Sequence, residues 1–517
     1  MALDLPPDAP AGAPVAAIVA PAAQAEQIHV DSNGYHYVVN NSRRLPADAV
    51  RAAIEGAATP KDAVERLNAA YQRAGHFLTA LRAEASGKLV AIEVLHGRIT
   101  ETDVAPELVP FFTGIVNRED INRNALIRAV SMVEIYSSRQ GMRPQVSFSP
   151  AAEFAGSKMT VTEEPIPGAK PWSAALAFNN MGSRFSSRYI ASAAASVRPG
   201  GGAELTASYT QGLPGMSPDS GGAQYQAANI GGTIATPWGI YGANFNGIAY
   251  KVGESSAPLY PTGDINTIAI TGTQLVYADE TSRLVLNQAF TQTDNIVSVF
   301  DGTFETTHQN YGFLTAGISY NASAALFGQI ASFGASATLL QGLSPRTGTF
   351  LPNDPGTPDP HFSAIQATFN YSQGLPGGLS LAVNLSGQWA DCTVPQNQQW
   401  VVGGYGNLSA WLPAVMVGDS GSLGRVNLAS PSWAWGGYSV QGNAFVEAGL
   451  VRFHFQPADT PATRTLADAG LSITGNTPFG TNLTVAYAWP IASRNVDLGR
   501  INDQSRANFY FTVNQSF

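Results

Sequence analysis

Four residues, Gly418-Asp419-Ser420-Gly421, come nearest to catalytic chemistry in this sequence. They match the nucleophile segment of trypsin-like proteases. Such a serine needs a histidine base, a carboxylate to orient that base, and donors for the oxyanion. The seven histidines, His308 and His361 among them, stand in no triad signature. Pro199-Gly200-Gly201-Gly202 reads as a hairpin turn between strands and not as a phosphate cradle. There is no phosphate-loop motif and no His-Glu-x-x-His pair. The single Cys392 rules out an intramolecular disulfide and a cysteine-cluster metal site. The sequence therefore predicts no enzyme, no cofactor and no metal.

The elements that must position any functional residue are strands. In residues 508–517 Phe509, Phe511, Val513 and Phe517 fall on one parity, and Tyr510, Thr512, Asn514 and Ser516 on the other. Successive side chains of a strand point to opposite faces, so this stretch has one apolar face and one polar face. The same alternation runs through Leu205, Ala207 and Tyr209, through Ile365, Ala367, Phe369 and Tyr371, and through Leu379, Leu381, Val383 and Leu385 after the turn Gly374-Leu375-Pro376-Gly377-Gly378. It returns in Leu483, Val485, Tyr487 and Trp489. Bulky residues on one parity and small or polar ones on the other are the pattern of a barrel with lipid outside and water inside. An amphipathic strand of a soluble sandwich would show the same local alternation, so the whole chain has to decide.

Composition favours the barrel. Charged residues are 13% of the 517, against about 25% for an ordinary soluble domain. Mean hydropathy is nevertheless close to zero, and no apolar run approaches the roughly 20 residues of a membrane helix. From residue 166 on, at roughly 20–24 residues per strand with its connections, the chain has room for about sixteen antiparallel strands. Phe509, Phe511, Val513 and Phe517 are then expected to lie on the strand that closes the barrel against the first. The net charge of −9 and the lack of a basic stripe argue against nucleic acid.

The texture before residue 166 differs. Residues 1–27 are rich in Ala and Pro, with no Lys or Arg before Arg43. Pro10, Pro14 and Pro21 interrupt any apolar core, although Ala23-Gln24-Ala25 resembles a signal cleavage site. This segment reads as a flexible lead-in whose native signal has been removed or whose start codon is misplaced. Residues 28–97 then read as strands at 28–30 and 35–39, a helix from 46 ended by Gly56, and a second from 60 ended by Gly75. A hairpin across Ser86-Gly87 follows. Residues 98–165 repeat the order, with a strand at 100–104, a short helix at 106–112, a longer one at 124–138 stopped by Gly141, and strands at 145–148 and 158–162. Pro165, Pro167 and two acidic residues mark the linker to the barrel.

Two β-α-α-β-β units ahead of a barrel of about sixteen strands resemble the outer-membrane transporter of two-partner secretion, the TpsB family. Its small units are POTRA domains, here 28–97 and 98–165, with the barrel at 166–517. The closing hairpin of the second unit, Val146-Ser147-Phe148-Ser149-Pro150 and Ala155-Gly156-Ser157-Lys158-Met159, is similar to the family's. So are Asn179-Asn180-Met181-Gly182-Ser183-Arg184 at the first barrel turn and Ala488-Trp489-Pro490-Ile491 near the end. The most specific likeness is Gln399-Trp400-Val401-Val402-Gly403-Gly404 followed by Gly418-Asp419-Ser420-Gly421. In the family these flank a long loop that folds back into the barrel, with Val-Arg-Gly-Tyr at its tip. Leu408-Ser409-Ala410-Trp411 stands in that slot, so Trp411 keeps the aromatic and Ser409 replaces the arginine. The family's wall motif Phe-x-Asp-x-Gly is matched by Phe445-Val446-Glu447-Ala448-Gly449. Parity turns Phe445, Glu447 and Gly449 to the lumen. With no loop arginine to pair it, Glu447 is expected to meet another cation or water.

The resemblance implies a protein in the outer membrane with its N-terminal domains in the periplasm. It implies capture of an unfolded, large, β-rich partner protein by strand addition, and export of that partner through the barrel. Membrane lipid and the barrel-assembly machinery that inserts the chain are the other implied partners. A barrel-assembly insertase, a passive porin and a soluble β-adhesin are the competing readings.

Overall fold

The structure is a computed structural model that describes residues 27–517 apart from 119–120, 154, 184–186, 218–220, 344–346, 349–355 and 457–460. Residues 1–26 of the Ala/Pro-rich lead-in at 1–27, and Arg184 of the first barrel turn, lie outside the described residues. The chain divides into two compact units near Ala169 and Lys170.

The first unit begins with β1 (Ile28–Ser32) and β2 (Tyr35–Asn40), joined through Asn33-Gly34. Helices α1 (Ala47–Ile54) and α2 (Pro60–Arg73) follow, then β3 (Thr79–Ser86) and β4 (Leu89–His96). The sheet order is β1-β2-β4-β3, with β2 and β4 parallel and the other pairs antiparallel. A parallel neighbour needs a crossover, and α1 and α2 supply it. The helix α2 starts where its sequence says it should. Thr59 accepts the Asp62 N–H at 3.2 Å, Asp62 accepts the Ala58 N–H at 2.9 Å, and Pro60 occupies the first turn. Tyr37, Val39, Val50, Ile54, Leu67, Tyr71, Val90, Ile92 and Val94 fill the core between helices and sheet.

The same course is run again by β5 (Arg98–Asp103), α3 (Val109–Phe112), α4 (Arg123–Ser138), β6 (Met142–Pro150) and β7 (Gly156–Pro165). Its sheet order is β5-β7-β6, again with the strand before the helices parallel to the last one. Helix α4 buries Leu126, Ile127, Val130, Met132 and Val133. The short helix is one turn, α3, and not the whole of 106–112, which holds Pro106 and Pro110.

The second unit is a closed antiparallel barrel of sixteen long strands. They begin with β8 (Trp172–Asn179), β9 (Ile190–Gly200), β10 (Ala203–Gly212), β11 (Gln224–Thr236), β12 (Gly239–Lys251), β13 (Thr262–Ala278) and β14 (Ser282–Val299). Next come β15 (Phe304–Leu326), β16 (Gln329–Gly342), the two-residue β17 (Thr347–Gly348), β18 (Ser363–Gly374) and β19 (Ser380–Ala390). Two short strands inside a loop, β20 (Trp400–Val402) and β21 (Met416–Gly418), pair with each other apart from the barrel. The wall resumes with β22 (Ser420–Ala429), the short β23 (Trp433–Trp435), β24 (Tyr438–Arg452), β25 (Arg464–Asn476) and β26 (Thr481–Arg494). A helix, α5 (Leu498–Ser505), precedes the last strand, β27 (Phe509–Ser516). Strand β27 pairs with β26 and with β8, from Thr512 opposite Asn179 to Ser516 opposite Ala175, and this closes the cylinder.

The wall is apolar outside and polar inside. Leu205, Tyr209, Ile365, Phe369, Leu385, Leu483, Tyr487, Phe509 and Phe517 are exposed on the outer surface. Cross-strand polar pairs line the inside, such as Gln366 to Gln388 at 2.8 Å and Ser336 with Thr368 at 2.7 Å. Each exposed Leu or Phe would forgo roughly 1.5–3 kcal/mol of burial in water, and a belt of them around a closed sheet requires lipid. Among the described residues no helix is long and apolar enough to cross a membrane; the strands cross it. One end of the barrel carries short turns, such as 201–202, 237–238 and 327–328. The other carries the long connections, including 391–419 and 495–508.

Candidate functional site

The connection 391–419, between β19 and β22, is wound into a compact tip that sits against the inner wall. Its stem is the β20–β21 ladder, Trp400 opposite Gly418 and Val402 opposite Met416. At the tip the Gly403 N–H donates to Asn407 O at 2.6 Å, the Asn407 N–H to Gly404 O at 2.9 Å, and the Gly404 N–H to Trp411 O at 2.9 Å. Gly403 has φ +119, and a Cβ there would lie 2.4 Å from Leu412 O. The Gly403-Gly404 pair is what lets the chain turn this tightly. Ser409 Oγ accepts the Gly406 N–H at 2.9 Å, so the serine side chain braces the tip itself.

The wall meets the tip with two carboxylates. Glu447 Oε2 accepts the Ser409 N–H and Asp468 Oδ2 accepts the Ala410 N–H, both at 2.6 Å. Both acids are fully buried. They stand opposite each other on β24 and β25, and Arg425 on β22 stands opposite Glu447 in turn. The Arg425 Nη1 donates to Glu447 Oε1 at 2.5 Å. Its guanidinium lies 4.3 Å from the Phe445 ring centroid and 5.7 Å from that of Tyr405. The cation that the loop lacks at Ser409 is therefore supplied by the wall. The other cation that Glu447 meets is Arg425 of the wall: the carboxylate holds that arginine on one oxygen and the loop main chain on the other. Charge-assisted bonds of this kind are the strong ones.

Apolar contacts complete the seat. Trp411 is fully buried, in a cluster with Val402, Leu408, Ala410, Met416, Phe445, Val451, Leu466 and Ala488. The Tyr510 hydroxyl donates to Trp411 O at 2.5 Å. Gly449 leaves room for the loop: a Cβ there would stand 2.9 Å from Leu408 Cδ1, so Leu408 would have to shift.

The Gly418-Asp419-Ser420-Gly421 segment is a knot at the base of the loop. Buried Asp419 accepts the Val394 N–H at 3.0 Å and the His454 N–H at 2.7 Å, which joins the start of this loop, its end and the next loop. Ser420 Oγ accepts the Ala390 N–H at 3.0 Å. Gly418 and Gly421 lie where a Cβ would meet Arg452 O at 2.7 Å and Trp400 Cδ1 at 2.1 Å. Cys392, half-buried nearby, has its thiol pushed up to about 12 by burial and by Asp391 beside it, so it stays protonated. Among the described residues no group of three or more His, Cys, Asp or Glu is arranged to hold a metal ion.

The structure thus brings Gly403, Gly404, Ser409, Trp411, Phe445, Glu447 and Gly449 into one site and places Gly418 and Asp419 at its root. Phe509, Phe511 and Val513 lie on the closing strand and Phe517 directly follows it, on the parity opposite to Tyr510, which meets the tip. Sequence reasoning missed Arg425, Asp468, Tyr405, Tyr510 and helix α5. One signal was present: Glu447-Ala448-Gly449-Leu450 is echoed by Asp468-Ala469-Gly470-Leu471 one strand later.

The family described as haemolysin secretion/activation protein ShlB/FhaC/HecB matches residues 156–475. No curated protein matches the sequence. Among solved structures, CdiB from Escherichia coli superposes with a TM-score of 0.76 at 13% identity, over 97% of this chain and 93% of that one. CdiB from Acinetobacter baumannii gives 0.71 at 11% identity, over 96% and 91%. At such identities the likeness is one of fold.

Proposed function

The chain belongs to the haemolysin secretion/activation family ShlB/FhaC/HecB, the TpsB-type outer-membrane transporters, and from that premise we propose that it exports a large partner protein through its barrel. The carrying observation is the folded-in loop, held in the lumen by Ser409 and Ala410 on Glu447 and Asp468. A passive porin has no use for a plug seated on two buried carboxylates. An exporter does, because its lumen must stay closed between clients and open for one.

The two N-terminal α/β units act as POTRA domains, 28–97 and 98–165, on the periplasmic side. They capture the unfolded partner by adding one of its strands to a sheet edge. Such binding reads the main chain and needs no side-chain code, which suits an unfolded client. The sheet orders leave β1 and β3 at the edges of the first unit, and β5 and β6 at those of the second. On β6 the prolines Pro144 and Pro150 lack an N–H, which restricts capture there to the stretch between them. The client then passes the barrel once the loop has left the wall, and its folding outside supplies direction.

The test compares surface and culture-medium proteins in cells with and without the gene. Loss of one or two large β-rich proteins from the outside, with their degradation in the periplasm, is the expected result. A joint fall of many outer-membrane barrels would point to an insertase, and no change in either would overturn the export reading.

A further inference from the structure

The loop tip is held from a second side by the connection before the last strand. The Leu412 N–H donates to Ser505 O at 2.7 Å and the Ala507 N–H donates to Ala410 O at 3.0 Å. Between these bonds Trp411 and Arg506 form an antiparallel bridge. Val496, Leu498 and Ile501, on and just before α5, pack against the apolar cluster that holds Trp411. Ala507, Leu412 and Tyr510 form a further buried contact. The residues of the tip that face the wall, 409 and 410, and those that face this connection, 410–412, overlap at Ala410. Its N–H is on Asp468 and its C=O is on Ala507.

We propose that residues 495–508 are the second half of the gate. The tip is clamped between the wall carboxylates on one side and a β-bridge to Ser505–Ala507 on the other, and these positioning residues must part from 410–412 before the lumen opens. The inference rests on the export reading, and it follows from one geometric fact. The tip cannot leave the wall as a unit while Leu412 and Ala410 remain hydrogen-bonded to a segment that runs directly into β27. Because β27 is the closing strand, that segment is anchored at its C-terminal side by the ladder of Phe509–Gln515 to β26 and of Thr512–Ser516 to β8. With both ends held in the wall, β26 by its ladder to β25 and β27 by its ladders to β26 and β8, the connection opens by lifting α5 off the tip between them. The three apolar residues that pack on the tip, Val496, Leu498 and Ile501, set how tightly it stays down.

The test uses the full-length protein with Cys392→Ser in every variant. Main-chain neighbours in an antiparallel pair have Cα atoms about 4.5–5.5 Å apart, within disulfide range. Ala410→Cys with Ala507→Cys therefore allows the two loops to be locked and unlocked in one protein. Purified protein is reconstituted in planar bilayers, and potassium chloride current is recorded oxidised and then reduced. The expected result is at least a ten-fold drop in open events on oxidation, reversed by reductant. A second variant, Val496→Ser/Leu498→Ser/Ile501→Ser, leaves the β-bridge residues in place and is expected to open several-fold more often than its parent. Equal currents in the oxidised and reduced protein, with the disulfide verified by mass, would overturn the proposal. So would parental current in the triple serine variant. Partner export is measured in parallel. If the parent itself exports nothing, the proposed function fails, whatever the currents show. If the parent exports while both current tests are flat, only this inference fails.

Discussion

At the scale of single residues, the seat of the loop separates charge from motion. The moving part contributes two backbone N–H groups, while both acids and the arginine belong to the wall. When the tip leaves, Glu447 keeps Arg425, and no ion pair has to be pulled apart in a low-dielectric lumen. On the carboxylate side two hydrogen bonds must be broken, each worth about 1.5–3 kcal/mol, in addition to the tip's bonds to Tyr510, Ser505 and Ala507. This predicts a contrast at position 409. Ser409→Ala keeps the N–H on Glu447 and loses only the brace to Gly406. Ser409→Pro removes the donor itself, and the closed state should weaken by roughly ten- to a hundred-fold relative to the open one. Bilayer current from the two variants checks it; equal currents would mean that the bond to Glu447 does not hold the tip. Arg425 makes a different prediction. Breaking a buried pair by removing one partner costs about 3–5 kcal/mol because the other charge is stranded. Arg425→Ala should therefore destabilise the closed barrel more than Arg425→Ala combined with Glu447→Gln, in which position 447 carries no stranded charge. The temperature at which the folded barrel loses its compact electrophoretic mobility measures both, and a double variant no better than the single one would reject the argument.

At the scale of elements, the sequence was most legible where local chemistry decides. Thr59 and Pro60 start α2 and Gly75 ends it with φ +85, as the residue types alone require. The alternating runs fixed which side of each barrel strand meets lipid, since a slip of one residue would exchange the faces. What stayed hidden depends on which strands become neighbours. Arg425 and Asp468 are unremarkable inward residues until the register sets them on either side of Glu447. Helix α5 is only eight residues long and carries Gly499, too short for a periodic pattern to stand out, and its place is fixed by the loop tip beneath it. The same separation of local from tertiary applies to His76. Burial, and then the positive Arg44, hold its imidazole below the usual histidine value. The folded first unit thus stays neutral where the unfolded chain takes up a proton. The contribution to stability is complete above the unfolded pKa of about 6.5 and shrinks as pH falls through it. Urea-dependent proteolysis of residues 28–97 in the full-length protein should show a lower midpoint at pH 5.5 than at pH 7.5, and His76→Gln should flatten that difference.

At the scale of the whole molecule, the barrel is defined by its solvent. Nothing but lipid makes a closed sheet with an apolar exterior and a lumen of Gln, Asn, Ser and Thr the favoured state of this chain. That places opposite demands on adjacent residues of one strand. Phe369 and Thr368 are neighbours in β18; Phe369 is exposed on the outer face, and Thr368 meets Ser336 inside. A lysine facing lipid costs about 2–4 kcal/mol at the bilayer midplane and less towards either surface. A lysine facing a hydrated lumen costs far less, because its ammonium stays in water. Phe369→Lys should therefore lower the folded fraction recovered in lipid vesicles and the urea midpoint of the inserted barrel. Thr368→Lys should leave both near those of the parent, while adding a positive charge to the lumen that shifts the ion selectivity of the open pore towards anions. If both substitutions fold equally well, the outer face of β18 does not lie against hydrocarbon. The strand would then belong to a part of the cylinder that stands clear of the membrane, or to one shielded by another protein. If Thr368→Lys were the damaging change, the inside and outside of the barrel would have to be exchanged. The buried seat of the loop on Glu447 and Asp468, which depends on the same parity, would have to be abandoned with it.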